Sequence, residues 1–314
     1  MISKEWHSEA VLLKQSGFSG RTIAKVIGKS KTQVNNFLKS LVVQEEAVGS
    51  EKKGPRILFL DIETKYMLLE GWGLFNQNFS VDQIAEDWSI LSYSAKFADS
   101  DDVLYSDVTE MTEDELLQEL HDLLNEAQFV IAHNGRRFDM KKIRARMITR
   151  GFKPHSPVRV IDTLEIAKKE FAFTSNKLLH LTRLLCKKNQ KSDHGKFAGH
   201  SLWKEFVKGN PEAIAEMREY NQIDVVSLQE LYEILAPWSS TLPILEVYED
   251  EVVDMSDWVV DGYVYTNMGK YDRYRNIKTG QYRRGSKNLL SREKRESLLR
   301  NIAVSYTHLT LPTT

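Results

Sequence analysis

The stretch Ile57-Leu-Phe-Leu-Asp-Ile-Glu-Thr64 places two carboxylates directly after an apolar run. The apolar run predicts a buried β-strand, and residues two apart on a strand point to the same side. Asp61 and Glu63 therefore project together from the end of a strand. No Lys or Arg lies between them, and burying ionised carboxylates without a compensating partner is very costly. The pattern favours a divalent cation as that partner.

Two further acids occur in segments of similar character. Asp139 ends the segment Ala132-His-Asn-Gly-Arg-Arg-Phe-Asp139, which follows a predicted strand, and Asp224 ends Tyr220-Asn-Gln-Ile-Asp224, inside a predicted helix. Tyr220 and Asp224 are four apart, so their Cβ atoms lie on one helix face about 5–6 Å from each other. Carboxylate ligands without cysteine or clustered histidine favour Mg²⁺ or Mn²⁺ over zinc.

The order and spacing of these three segments resemble the motifs of the DEDD exonucleases, the DnaQ-like branch of the ribonuclease H-like superfamily. The third motif begins with Tyr220 rather than His and so resembles that of the tyrosine subgroup, which includes proofreading domains of DNA polymerases. The resemblance extends from Pro55 to Trp238. It implies a 3′→5′ exonuclease with two Mg²⁺ or Mn²⁺ ions.

The resemblance also implies a role for each residue of the site. Asp61 would bridge both ions, Glu63 and Asp224 would hold the ion that generates the nucleophile, and Asp139 would act through water on the other ion. Tyr220 would orient the attacking water, because a free phenol titrates near pH 10 and is a poor base at neutral pH.

Four residues near the second motif are predicted to contact substrate: His133, Asn134, Phe138 and Asp162. Three of these residues can instead have a purely structural role. His133 can hydrogen-bond within its loop, Phe138 can pack against the core, and Asp162 can cap the helix that begins at Leu164.

The resemblance implies an α/β fold, a ribonuclease H-like mixed sheet flanked by helices, and the order of the predicted elements along the chain matches it. Apolar and β-branched runs predict further strands, and periodic apolar positions predict helices, the first of them capped by Thr112. The predicted strands cover 89–97, 103–108, 129–132 and 158–161, and the predicted helices cover 113–127, 140–150, 177–185 and 211–235. The exonuclease domain is predicted to span 55–240.

Residues 1–48 are predicted to form a small all-α domain that resembles a helix-turn-helix, and residues 49–54 are predicted to form a linker. Ala24 would allow two helices to approach, Gly28 would supply a positive φ in the turn, and Val34 would pack between the helices. Exposed polar residues able to contact DNA are Lys29, Lys31, Thr32, Gln33 and Asn35. The alternative is a three-helix bundle that serves protein contacts.

Residues 241–303 form a basic segment that is predicted to contain a β-hairpin. The hairpin would be formed by 258–265 and 270–275, in which basic and aromatic residues alternate. The segment resembles a zinc ribbon found after such exonuclease domains, but the cysteines are missing, so no zinc is expected. Arg273 and Arg275 are predicted to contact nucleic acid. Residues 304–314 resemble a translated sequencing adapter, and no function is assigned to them.

Charge is distributed unevenly along the 314 residues. Residues 1–53 hold nine Lys/Arg and five Asp/Glu, and residues 261–303 hold eleven and four, although the net charge is −1. Basic flanks suit a nucleic-acid partner, since phosphate neutralisation supplies most sequence-independent affinity. The single cysteine, Cys186, excludes a disulfide framework. No apolar run is long enough to span a membrane, which favours a cytoplasmic protein (host cytoplasm if phage-encoded).

The sequence therefore predicts a metal-dependent exonuclease that acts on single-stranded 3′ ends of DNA. One catalytic module with added DNA-binding segments is typical of a small phage or mobile-element enzyme. Two alternatives stay open. The chain can be an exoribonuclease, or a DNA-binding regulator whose exonuclease-like domain is not catalytic.

Overall fold

The computed structural model describes residues 54–73, 75–189, 195–248 and 252–300, together with Trp6, Ala10, Ile23 and 26–28. Most of the predicted helix-turn-helix, the predicted linker and the adapter-like tail lie outside the described residues. Gly28 is described, and its φ of +63° agrees with the predicted turn. The chain divides into two compact units, 1–54 with 247–250 and 55–246 with 251–314.

A five-stranded mixed sheet forms the centre of the larger unit. Its strands are β1 (Ile57–Thr64), β4 (Ile90–Phe97), β5 (Leu104–Asp107), β6 (Phe129–Ala132) and β7 (Arg159–Asp162), and the short strands β2 (Leu68–Leu69) and β3 (Ile84–Glu86) form a separate ribbon. The strand order in the sheet is β5-β4-β1-β6-β7, so β1 is central, pairing antiparallel with β4 and parallel with β6. The predicted strands are thus confirmed, and the ribbon was not predicted.

Helices cover both faces of this sheet. They are α1 (Glu113–Glu126), α2 (Asp139–Thr149), α3 (Thr163–Glu170), α4 (Leu178–Leu185), α5 (Ser201–Val207) and α6 (Pro211–Leu235). Thr112 caps α1 as predicted, because its side chain accepts from the Glu115 backbone N–H and Glu115 bonds back to the Thr112 backbone. The structure confirms the four predicted helices within about two residues at each end. Helix α5 was not predicted.

The two faces of β1 explain where its acids lie. Leu58, Leu60 and Ile62 are buried against α1 and α2. Phe59 is buried on the opposite face, in the core that includes α4 and α6. Side chains alternate along a strand, so Asp61 and Glu63 continue the Phe59 face. The end of β1 therefore presents two carboxylates on the side that α6 covers.

A second sheet follows in the C-terminal segment. Strands β8 (Trp258–Thr266), β9 (Gly269–Asn276) and β10 (Tyr282–Arg284) form an antiparallel sheet in the order β10-β9-β8. The predicted hairpin is present, and β10 extends it. A short helix, α7 (Arg292–Glu296), comes after the sheet. Within the described part of the chain, no helix has the length and apolar character that crossing a membrane requires.

Candidate active site

Three of the four predicted metal ligands meet at the end of the central strand. Asp61 and Glu63 on β1 and Asp224 on α6 place carboxylate oxygens within 4.8 Å of one another. Asp224 is 2% exposed, whereas Asp61 and Glu63 are half-buried. Among the described residues, this is the one group of three or more acidic, histidine or cysteine side chains arranged to hold a metal ion. Three clustered carboxylates fit a hard divalent cation, since an ion of that kind offsets their mutual repulsion.

The fourth predicted ligand, Asp139, lies beside the same strand but outside this cluster. Asp139 is the first residue of α2 and is 3% exposed. Its Oδ1 accepts a hydrogen bond of 3.2 Å from the backbone N–H of Ile62, the residue between Asp61 and Glu63. Burial, with a smaller contribution from the charge of Asp162, raises the pKa of Asp139 to about 7. The carboxyl group is thus held against the strand end at which the other three acids meet.

A buried hydrogen-bond chain holds Asp61. The Asn221 Nδ2 donates to Asp61 Oδ2 over 2.7 Å, and the Ser92 hydroxyl donates to Asn221 Oδ1 over 3.1 Å. Asn221 and Ser92 are both fully buried. Neither residue was predicted as part of the site, although Asn221 follows Tyr220 directly in the third motif.

A tryptophan holds Glu63. The indole Nε1 of Trp203, on α5, donates to Glu63 Oε2 over 2.9 Å. The Trp203 ring also meets the ring of Tyr220 edge to face, with centroids 6.1 Å apart. Trp203 thus contacts both a metal-ligand candidate and the candidate water-orienting phenol. Trp203 was not predicted as a site residue, because α5 itself was not predicted.

The second-motif turn requires a glycine. A Cβ on Gly135 would lie 2.4 Å from the Cβ of Ala132, which is closer than real contacts allow. The preceding Asn134 has a φ of +69°, a left-handed conformation that Asn adopts more readily than most residues. Its carbonyl accepts from the N–H groups of Arg137 and Phe138. Asn and Gly thus build the turn that begins just before Asp139.

The predicted substrate-contacting residues near this turn make internal contacts. The ring nitrogens of His133 lie 2.9 Å from the Thr163 hydroxyl and 2.9 Å from the Asn176 carbonyl oxygen, so these hydrogen bonds reach other segments of the chain rather than its own loop. Asp162 caps α3 by accepting from the Leu164 N–H, and it also accepts from the Asn134 and Arg136 N–H groups. Substrate contact by His133, Asn134 and Asp162 stays a prediction.

Phe138 differs, because its side chain reaches the surface. The residue is 37% exposed, and the Lys142 Nζ lies 5.7 Å from the centre of its ring. Base stacking by Phe138 therefore also stays a prediction, with an accessible aromatic ring in its favour.

The predicted nucleic-acid-contacting arginines lie on β9. The Arg273 guanidinium lies 5.1 Å from the Tyr282 ring centre, and both Arg273 and Arg275 form ion pairs with Asp261. The five predicted contact residues of the N-terminal domain lie outside the described residues. Their role stays a prediction as well.

Comparison with known proteins assigns the central part of this unit. Residues 90–236 match the model of the RNase H superfamily, and they form an RNase H superfamily domain with an RNase H-like fold. The matched range contains Asp139, Tyr220 and Asp224, whereas Asp61 and Glu63 precede it. No curated protein matches the chain.

One solved structure similar to the chain is that of the family B DNA polymerase from the hyperthermophilic archaeon Pyrobaculum calidifontis. The identity is 14% and the TM-score is 0.47. The match covers 63% of this chain and 28% of the polymerase chain, so the chain spans less than a third of that protein.

Proposed function

We propose that the protein is a metal-dependent 3′→5′ exonuclease that hydrolyses phosphodiester bonds in DNA at single-stranded 3′ ends. The observation that carries the proposal is the meeting of Asp61, Glu63 and Asp224 within 4.8 Å at the end of the central strand. The order of the three motifs and the presence of Tyr220 support the exonuclease class and the direction. The RNase H superfamily domain supports a nuclease.

The side chains divide the work of hydrolysis between them. Asp61, Glu63 and Asp224 would hold divalent cations through carboxylate oxygens. Asp139, whose carboxylate accepts a hydrogen bond from the Ile62 N–H, would also contribute to holding the cations. Bound Mg²⁺ or Mn²⁺ would supply charge stabilisation to the attacking and leaving oxygens of an in-line phosphoryl displacement. Tyr220, one helical turn before Asp224, would donate a hydrogen bond from its hydroxyl group to the attacking water and so orient it.

The C-terminal sheet supports nucleic acid as the partner. Four of its cationic groups lie over aromatic rings: Lys270 over Tyr263 at 3.7 Å, Arg284 over Tyr271 at 4.3 Å, Arg283 over Trp258 at 4.8 Å and Arg273 over Tyr282 at 5.1 Å. Tyr265 and Tyr282 are 70% and 54% exposed. Exposed aromatic rings stack on bases, and cationic groups contact phosphates. We assign this sheet a binding role, separate from the chemistry.

A substrate panel tests the proposal. The full chain is incubated with 3′-labelled and 5′-labelled DNA and RNA, single-stranded and double-stranded, with Mg²⁺, with Mn²⁺ and with EDTA. The expected result is loss of nucleotides from single-stranded DNA 3′ ends that EDTA stops and Asp61→Ala abolishes. If RNA were degraded faster than DNA, the protein would be an exoribonuclease rather than a DNA exonuclease. Binding without any degradation would favour a non-catalytic role.

A further inference from the structure

Asn221 connects two of the candidate metal ligands that lie on different elements. It stands on α6 three residues before Asp224, and its Nδ2 donates to Asp61 Oδ2 on β1 over 2.7 Å. Residues three apart on a helix are neighbours on its surface. Asn221 therefore fixes the distance between the helix that carries Asp224 and the strand that carries Asp61.

The hydrogen bonds around Asn221 can form in only one direction. An ionised carboxylate only accepts hydrogen bonds, so the amide must present its NH₂ group to Asp61. The amide oxygen then points to Ser92, whose hydroxyl donates to it over 3.1 Å. Ser92 lies on β4 opposite Glu63 in the β1–β4 register, so the sheet fixes its position. The chain runs from β4 through α6 to Asp61.

The choice of an amide suits a cation site. A Lys or Arg in this position would neutralise Asp61 and compete with a cation, whereas a neutral amide orients the carboxylate and keeps its charge. Both Asn221 and Ser92 are fully buried, so removing either leaves a buried polar partner with fewer hydrogen bonds. Hydrogen-bond partners of metal ligands typically change metal affinity or activity by about 10–100-fold when they are removed.

We infer that Asn221, held by Ser92, is a positioning residue that sets the Asp61 carboxylate for divalent-cation binding. This inference rests on the proposed function, because it requires Asp61 to be a metal ligand. A role limited to packing between α6 and the sheet would leave cation affinity unchanged in a folded variant. The affinity for the cation alone, measured without nucleic acid, is therefore the deciding quantity.

The test titrates Mn²⁺ alone into the full chain by isothermal calorimetry, for the wild type, Asn221→Ala, Ser92→Ala and Ser94→Ala. Ser94 is a matched control, since it lies two residues from Ser92 on β4, directly opposite Asp61 in the β1–β4 register, and is also fully buried. Among the described residues, its hydroxyl has no hydrogen-bond partner. Circular dichroism and a thermal melt in EDTA show whether each variant is folded.

The expected dissociation constant for Mn²⁺ rises about 10–100-fold in Asn221→Ala. It rises at least about threefold in Ser92→Ala and stays within about twofold of the wild type in Ser94→Ala, since only Ser92 belongs to the chain that orients Asp61. If Asn221→Ala does not fold, the comparison of Ser92→Ala with Ser94→Ala decides alone.

Two results would overturn the inference. A folded Asn221→Ala that binds Mn²⁺ like the wild type would remove its positioning role and leave the proposed nuclease intact. Equal weakening in Ser92→Ala and Ser94→Ala would attribute the effect to packing. A wild-type chain that binds no Mn²⁺ would instead overturn the proposed metal site itself.

Discussion

Replacing Asp224 by Asn should raise the thermal stability of the metal-free protein while it abolishes activity. Asp224 is buried, and its carboxylate lies within 4.8 Å of those of Asp61 and Glu63. At 4.8 Å and an effective dielectric constant of about 20, two like unit charges repel by about 3.5 kcal/mol. Asp61 and Glu63 are half-buried and hydrogen-bonded, so solvent screening reduces this value.

The expected net gain is about 1–2 kcal/mol of unfolding free energy, or a rise in Tm of roughly 2–6 °C in EDTA. Scanning calorimetry of the wild type and Asp224→Asn, with EDTA and with Mn²⁺, measures both the gain and the metal response. Mn²⁺ should raise the Tm of the wild type and leave that of the variant unchanged, because a ligand stabilises only the state that binds it.

Asp107→Asn is the matched control for a buried aspartate outside the cluster. Asp107 is 1% exposed and accepts from the Thr109 backbone N–H, with Arg218 3.9 Å away. Its replacement should lower Tm and preserve the response to Mn²⁺. If Asp224→Asn melted well below the wild type in EDTA and still gained stability from Mn²⁺, Asp224 would be neither a source of repulsion nor a metal ligand.

Two further outcomes concern this site, and a third concerns the basic flanks. Trp203→Phe keeps a ring beside Tyr220 but removes the hydrogen-bond donor to Glu63, so kcat should fall about 10–100-fold at limiting Mg²⁺. Trp238→Phe is the control, and a wild-type rate in Trp203→Phe would assign Trp203 to packing. Tyr220→Phe should reduce kcat about 10–1,000-fold, less than Asp61→Ala, and a wild-type rate would exclude water orientation by the phenol. A fragment of residues 54–240 should retain metal-dependent cleavage but bind DNA more weakly, with a shallower salt dependence; equal binding at every salt concentration would contradict a nucleic-acid role for the flanks.

The strands and the direction of their acids could be predicted because both depend on local periodicity, whereas the arrangement of the strands in a sheet was expected from the family resemblance. The apolar run before Asp61 predicted β1, and the two-residue period placed Asp61 and Glu63 on one side. The four-residue spacing of Tyr220 and Asp224 likewise needs only helix geometry. The helix cap at Thr112 depends on neighbours within one turn, and the structure confirms it.

The contacts that hold the acids could not be predicted, because they join residues far apart in the chain. Trp203 lies 140 positions from Glu63, and Ser92 lies 129 positions from Asn221. Nothing in the residues around Trp203 marks it as a partner of Glu63. The helix cap formed by Asp162 was among the alternatives, whereas the hydrogen bonds of His133 reach Thr163 and Asn176, which lie 30 and 43 positions away in the chain.

The most direct test of the central claim follows the shortening of a 5′-labelled single-stranded DNA with Mg²⁺, beside a circular single-stranded DNA that has no ends. The proposed function predicts a ladder of products that shorten one nucleotide at a time from the 3′ end, no cleavage of the circle, and no products with EDTA or with Asp61→Ala. Cleavage of the circle, or an equal ladder with Asp61→Ala, would contradict it.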